Sequence, residues 1–377
     1  MNTREQTAQR AAAALRAPGL NQLQAVVGFD GFVDEILTVV DKRLGPTEHT
    51  EIPTIERFAS RIAGAAGQSS NFELVVKLVK LGGNGPIMAN ALASAGVSVS
   101  YIGSVGSPAE PAKVHPVFHE LARKAQVHSI AEACHTDALE FADGKLMLGK
   151  LAGVTQIHWE QLVQTVGLER LTALLDHANL ISIVNWTMLP YMTQLMQKLL
   201  EVVWPRLSDR PRVLFVDLAD PEKRSTADLV EVLQLLGRFS TRTRTILGLN
   251  FKEAEQVCSA LGLDPVVHRH EQTAAAAIRE RLGLSCVVIH PRDGAGCATA
   301  DGAWRLAGPY TASPKISTGA GDHFNAGFCL AWILGLAPPE CLAMGVATSG
   351  YYVRNAASPA ALELAAFLDN LPPGQDA

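Results

Sequence analysis

The sequence predicts an α/β fold built on a doubly wound, mostly parallel sheet. Three observations carry this expectation. Short apolar segments at 179–184, 212–217, 245–249 and 286–289 alternate with stretches of helical period at 159–177, 190–204 and 226–239, as strands covered by helices on both faces do. Glycine-rich strings at 82–85 and 319–321 each lead into a helical pattern. Acids follow apolar runs at Asp30, Asp34 and Asp217, the strand ends where open α/β sheets bind ligands.

The bulk properties fit this class. With 377 residues, 48% apolar and 18% charged, the chain can bury a large core and is not disordered. A formal charge of -5, scattered Lys and Arg and no interleaved aromatics exclude a nucleic-acid partner. An anionic substrate must then be held by local features rather than a global field. The six cysteines (134, 258, 286, 297, 329 and 341) show no Cys-x-x-Cys spacing and sit among apolar residues, which predicts reduced thiols, no zinc and a cytoplasmic setting. No apolar run approaches the roughly 18 residues of a membrane span.

Taken in order, residues 3–15 are Ala-rich with scattered Arg and read as an N-terminal surface helix, a transit peptide being the alternative. Residues 25–29 form a buried strand that runs into Asp30 and Asp34, two carboxylates suited to sugar hydroxyls or, more plainly, to a turn and a solvated surface. Pro53 opens a helix over 52–65, with Ile55, Phe58, Ile62 and Ala66 on one face. Alternation predicts a strand over 72–81. Three glycines in four residues, Gly82, Gly83 and Gly85, precede a helix reaching Gly96. A strand over 98–103 and a helix over 114–125 follow, then a hairpin over 138–148 turning at Asp143 and Gly144. Asn250 and Glu253 open a helix after the 245–249 strand, a spacing that also suits a capping box. The 286–289 strand exits through a loop at 290–295, and helices over 338–354 and 359–369 close the chain.

The string at 315–328 organises the rest. Gly319, Ala320 and Gly321 make a tight turn, and Phe324, Phe328, Ala331 and Trp332 fall at helical spacing behind it, closed by Gly335. Unpaired amides at such a helix start attract anions. Asp322 in the first turn would repel a phosphate, so it is either an ordinary cap or a base that takes a proton from an attacking hydroxyl. Gly-Ala-Gly-Asp arises by chance in about one chain of this length in a hundred.

Gly319, Ala320, Gly321, Asp322, Phe324 and Gly327 match the C-terminal signature of the ribokinase-like carbohydrate kinases, the PfkB family, and the chain resembles that family over residues 25–355. Ile316 and Ser317 replace the family's Asp and Thr. Gly82, Gly83 and Asn84 resemble its Gly-Gly element, with Ile87 at the usual Asn. Asn250 and Glu253 match its Asn-x-x-Glu element, and Gly294 and Ala295 the end of its nucleotide loop, where Ile289 and Pro291 depart from the pattern. Asp217 to Pro221 resembles its Asp-Pro-Asn-x-Arg region, a string that turn chemistry alone also explains.

The resemblance implies a three-layer α/β/α body (25–36 and 82–371) behind an N-terminal helix (1–24), with a small lid from 37–81 and 136–149 that carries an added helix. It implies transfer of the γ-phosphoryl of ATP to a hydroxyl of a sugar or sugar-like molecule. Asp322 would be the base, and the amides of Gly319, Ala320 and Gly321 would hold developing charge. Asp30, Asp34, Gly83 and Asn84 would bind the acceptor; Asn250, Arg292 and Gly294 would meet the nucleotide; Glu253 would place Mg²⁺ through water. Relatives often pair through the lid. The N-terminal strings at 28–34 and 82–90 also resemble the ADP-dependent sugar kinases, so an ADP donor, a nucleoside acceptor and a catalytically silent sugar-binding protein stand as alternatives.

Overall fold

A computed structural model describes residues 3–375. Ten of the described strands form one sheet, in the order Gly302–Ala307, Gly294–Thr299, Cys286–Ile289, Arg244–Leu249, Val213–Asp217, Leu180–Ile183, Gln24–Phe29, Ser98–Ser107 and Glu110–Val114, with Gln126–Glu132 also on Ser98–Ser107. Pairings from Cys286–Ile289 through to Ser98–Ser107 are all parallel. Gly294–Thr299 pairs antiparallel with both its neighbours, Cys286–Ile289 and Gly302–Ala307, and Glu110–Val114 pairs antiparallel with Ser98–Ser107. Burial explains the composition of the central strands: Leu180–Ile183 and Cys286–Ile289 are buried at every residue, because one cluster of apolar side chains packs on each face.

The chain first builds outward from Gln24–Phe29 to Ser98–Ser107, then returns to its other side at Leu180–Ile183 and continues away. The reversal falls at the carboxyl end of the first strand, where a crevice opens between diverging connections. Asp30 lies there, immediately past Phe29.

Five further strands make a smaller sheet. Phe32–Arg43 pairs with Leu74–Gly82 and, in parallel, with Cys134–Phe141; His49–Glu51 and Gly144–Lys150 complete it. The helix Ile55–Gly64, capped by the Thr54 side chain on the amide of Arg57, lays Phe58 over Leu37, Val39 and Leu139. Phe58 stacks on Phe141 at 5.5 Å and meets Phe72 edge-on at 5.4 Å, so this sheet has a core of its own.

Several expectations require correction. The twelve-residue strand Phe32–Arg43 runs straight through the expected boundary at 36/37, so Asp34 belongs to the small sheet. The segment read as a helix over 114–125 is the end of strand Glu110–Val114, a single turn at Pro116–Phe118 and the short helix His119–Lys124, because Pro116 starts a new turn there. The 159–177 helix is two, broken at Gly167, whose φ of 83° no ordinary helix residue adopts. The stretch at 190–204 is α-helical only over Met192–Lys198, then widens into π geometry over Leu199–Val203 ahead of Pro205. The strand Gln126–Glu132 and the helix Glu271–Leu282 were not anticipated. At the N-terminus, Thr3–Arg16 is helical but buries Ala8, Ala11, Ala12 and Leu15 against the rest of the chain, and Arg4 donates to the carbonyls of Ala307 and Pro372.

Candidate active site

Two glycine turns meet at the crevice. The first is Gly83, with φ 94° and ψ 142°, which admits the chain to the helix Asn84–Ser94. Asp30 lies against that helix start. Its carboxylate accepts the amides of Asn84 at 2.9 Å and Gly85 at 2.8 Å and the side-chain amide of Asn185 at 2.6 Å, while its carbonyl accepts the Tyr101 hydroxyl. A Cβ on Gly85 would come 2.8 Å from the Asp30 carboxylate, so only glycine fits. Burial pushes the Asp30 carboxyl up to about 6, against the pull of these donors. Asp30 is wholly buried, with both oxygens engaged. The expectation that it meets sugar hydroxyls is therefore corrected: it anchors the turn that presents Asn84.

Asp34 is placed differently. Its carboxyl lies over Gly82, where a Cβ would come 2.3 Å from its carboxyl carbon. In register beside it stand Lys80 on one neighbouring strand and Thr136 on the other. Burial raises the Asp34 carboxyl, and Lys80 and Thr136 oppose the shift. Burial in turn lowers the Lys80 ammonium, with Asp34, Asp322 and Glu140 opposing. Lys80 was not singled out from the sequence, since nothing local distinguishes it from a solvated lysine of an amphipathic strand.

The second turn is the one at 319–321. Gly319, with φ 93°, caps the helix Ala320–Ile333. The Ala320 amide closes the turn on Ser317 O at 3.1 Å, so it is not available to an anion as expected. Among the described residues, the amides of Gly319, Gly321 and Asp322 donate to no group. Asp322 is 8% exposed and accepts the side-chain amide of Asn84 on Oδ1 at 2.9 Å, leaving Oδ2 without a partner. Desolvation pushes its carboxyl up to about 8, partly countered by Asn84 and reinforced by the negative charge of Asp30 and Glu253.

Glu253 and Asn250 form the capping box of the helix Phe251–Leu261: the Asn250 side chain accepts the Glu253 amide at 3.0 Å and Glu253 accepts the Asn250 amide at 2.8 Å. The other Glu253 oxygen accepts the amide of Asp220 at 2.9 Å. Asp217, at the end of strand Val213–Asp217, accepts the Asn325 side chain at 2.7 Å. Asp217 and Glu253 are both pushed up, first by burial; Glu253 and Asp322 raise Asp217 further, and Asp220 raises Glu253. Asn325 was missed in the sequence, although it follows Asp322 by one turn of the same helix.

Arg292 is exposed and lines an open cleft of about 600 Å³ with Asn250, Phe251, Lys252, His268, His290, Pro291, Asp293 and Gln375. Gly294 is not in the exit loop: it begins a strand, buried against the carbonyl of Leu306. The cleft adjoins the second turn through His290, whose Cε1 would lie 3.3 Å from a Cβ on Gly321. A buried carboxyl at a helix start with unpaired amides, close to further acids and to an open cleft, has the chemistry that phosphoryl transfer to an alcohol would use.

The family model for prokaryotic ketohexokinase matches residues 3–371. The chain belongs to the prokaryotic ketohexokinase family. A ketohexokinase from Haloferax volcanii is 30% identical over 372 residues, 97% of either chain. Solved structures with the same fold include a ribokinase from Thermotoga maritima (TM-score 0.60, 18% identity, 92% of this chain and 99% of that one) and an adenosine kinase from Sinorhizobium meliloti (0.61, 15%, 92% and 97%). A ribokinase from Cryptococcus neoformans in complex with ADP gives 0.61 at 15% identity, covering 91% and 98%. This ketohexokinase-family chain is thus a ribokinase-like carbohydrate kinase. No described helix is long and apolar enough to cross a membrane.

Proposed function

We propose that the acceptor is a ketohexose and that Asp322 is the base. The observation that carries this reading is the position of the Asp322 carboxyl, nearly buried at an amide-lined helix start with one oxygen held by Asn84 and the other free. The acceptor hydroxyl gives its proton to Asp322 as its oxygen bonds to the γ-phosphorus, and the bond from that phosphorus to the departing ADP breaks. The amides of Gly321 and Asp322 meet the charge on the phosphoryl oxygens. Asp34, with Lys80 and Thr136 beside it, receives the remaining sugar hydroxyls.

The residues present fit a magnesium ion. Asp217, Glu253 and Asp322 repel one another in a buried setting, which a cation relieves. Glu253 already accepts two amides, which suits a contact through metal-bound water. Magnesium supplies charge neutralisation on the phosphates. The cleft holding Asn250 and Arg292 suits the rest of the nucleotide.

The small sheet is the lid. Ile36, Leu78, Ala138 and Met147 lie in one register row on the face that carries Asp34 and Thr136. Leu78 is 53% and Met147 49% exposed, an apolar row that a second copy of the chain would cover. Light scattering on wild type and Leu78→Asp tests this pairing: a dimer lost in the variant is expected, and a wild-type monomer excludes it. The acceptor is tested by coupled assays with ATP against ketohexoses, aldohexoses, pentoses and nucleosides. Turnover highest on a ketohexose is expected; a nucleoside preference, or ADP as the better donor, would overturn the reading.

A further inference from the structure

His323 follows the base, yet its ring points away from the crevice into a closed network. Its Nδ1 lies 2.7 Å from the carbonyl of Gly319 and its Nε2 2.8 Å from the Ser358 hydroxyl, which also accepts the side-chain amide of Asn90 at 3.0 Å. A carbonyl can only accept, so Nδ1 carries the proton and Nε2 takes the hydroxyl of Ser358. The ring stacks on Tyr352 at 3.6 Å, and the Tyr352 hydroxyl donates to the carbonyl of Thr318 at 3.0 Å. Ile87 lies against the turn itself, its Cδ1 3.2 Å from where a Gly319 Cβ would stand.

Two consecutive carbonyls of the turn, those of Thr318 and Gly319, are therefore gripped from behind by side chains. The Thr318 carbonyl shares its peptide plane with the Gly319 amide, and the Gly319 carbonyl with the Ala320 amide that closes the turn on Ser317 O, so holding both planes fixes the helix start that presents the amides of Gly321 and Asp322. Asn90 lies on the helix whose first residue, Asn84, holds Asp322. The network thus ties both glycine turns to one frame.

We propose that His323 is a positioning residue that holds the 318–321 turn, and so its anion-binding amides, in the geometry used for phosphoryl transfer. The proposal rests on the kinase reading above, and it concerns the amide cradle rather than the base. A neutral ring is what the site needs, because a proton on Nε2 would remove the acceptor for Ser358. Burial favours that form, pushing the imidazole down to about 4.

The test compares His323→Leu, which fills the space without polar atoms, with His323→Asn, whose side-chain amide can still donate to the Gly319 carbonyl. His323→Leu is expected to lower kcat about tenfold or more, with KM for the ketohexose within about twofold, because the loss falls on transition-state geometry. His323→Asn is expected to recover most of kcat. Melting temperatures of both variants, read alongside, separate general destabilisation from the turn effect. Equal kcat losses in the two variants would overturn the proposal, as would a His323→Leu enzyme with kcat within twofold of wild type. Asp322→Asn provides the distinction from the parent reading: if it keeps turnover, the base assignment fails while the Leu and Asn comparison still reports on the cradle.

Discussion

The side-chain amide of Asn84 donates to Asp322 at 2.9 Å across 238 positions of sequence. This single bond joins the first residue of one glycine-led helix to the first turn of another. It orients the carboxylate and leaves its second oxygen for a hydroxyl. Much of the site's behaviour should follow from how these two turns are held.

Replacing the proposed base gives the clearest outcome. Asp322→Asn keeps the shape and removes proton acceptance, so kcat should fall by about 10²- to 10⁴-fold. Sugar binding, read by calorimetry or thermal shift, should remain close to wild type. Near-normal turnover in this variant would remove Asp322 from the mechanism.

The pH dependence has a definite sign. With its carboxyl raised to about 8, Asp322 is protonated in the free enzyme below that pH, and kcat/KM should climb as pH rises through about 8. Bound magnesium and nucleotide place a cation nearby, so the corresponding rise in kcat should lie at lower pH. Stability runs the opposite way. The folded state keeps a proton that the unfolded chain releases near its ordinary value, so this contribution is complete at low pH and is lost as pH rises through about 8. The melting temperature of Asp322→Asn relative to wild type should therefore increase between pH 5 and pH 9.

Asn84→Leu removes the donor that favours the charged form of Asp322. The rise in kcat/KM should move to higher pH and its plateau should drop about tenfold or more. The helix start should survive, because its backbone amide is held by Asp30 independently of the side chain.

Asp30→Ala tests a different role. Two buried donors and one partly buried one would lose their acceptor, at a cost of about 3 kcal/mol or more. Chemical denaturation should show this loss. If Asp30 instead bound substrate directly, the variant would keep its stability and lose only affinity.

Glu253→Gln should raise the magnesium concentration needed for half-maximal rate, with little change in KM for the sugar, and a chelator should abolish wild-type turnover. An enzyme indifferent to chelation would exclude the metal.

Local chemistry in the chain determined a good deal. The 179–289 alternation specified the parallel sheet, because strands buried on both faces must be apolar throughout. The Gly-Ala-Gly-Asp string marked a tight turn with a helix behind it, because Gly319 alone tolerates the φ of 93° that starts Ala320–Ile333. Asn250 and Glu253 were legible as a capping pair at the right place. What tertiary structure alone decided concerns partners distant in sequence. Asp30 and Asp34 look alike as acids after a strand, yet one meets the amides of Asn84 and Gly85 while the other faces Lys80 and Thr136. Lys80, Asn185, Asn325 and His323 gain their roles from contacts that no spacing encodes. The physical reason is that helix and strand periods and turn propensities act within a few residues. Burial, and the charge and hydrogen-bond company each carboxylate keeps, are settled only when the strands pack side by side.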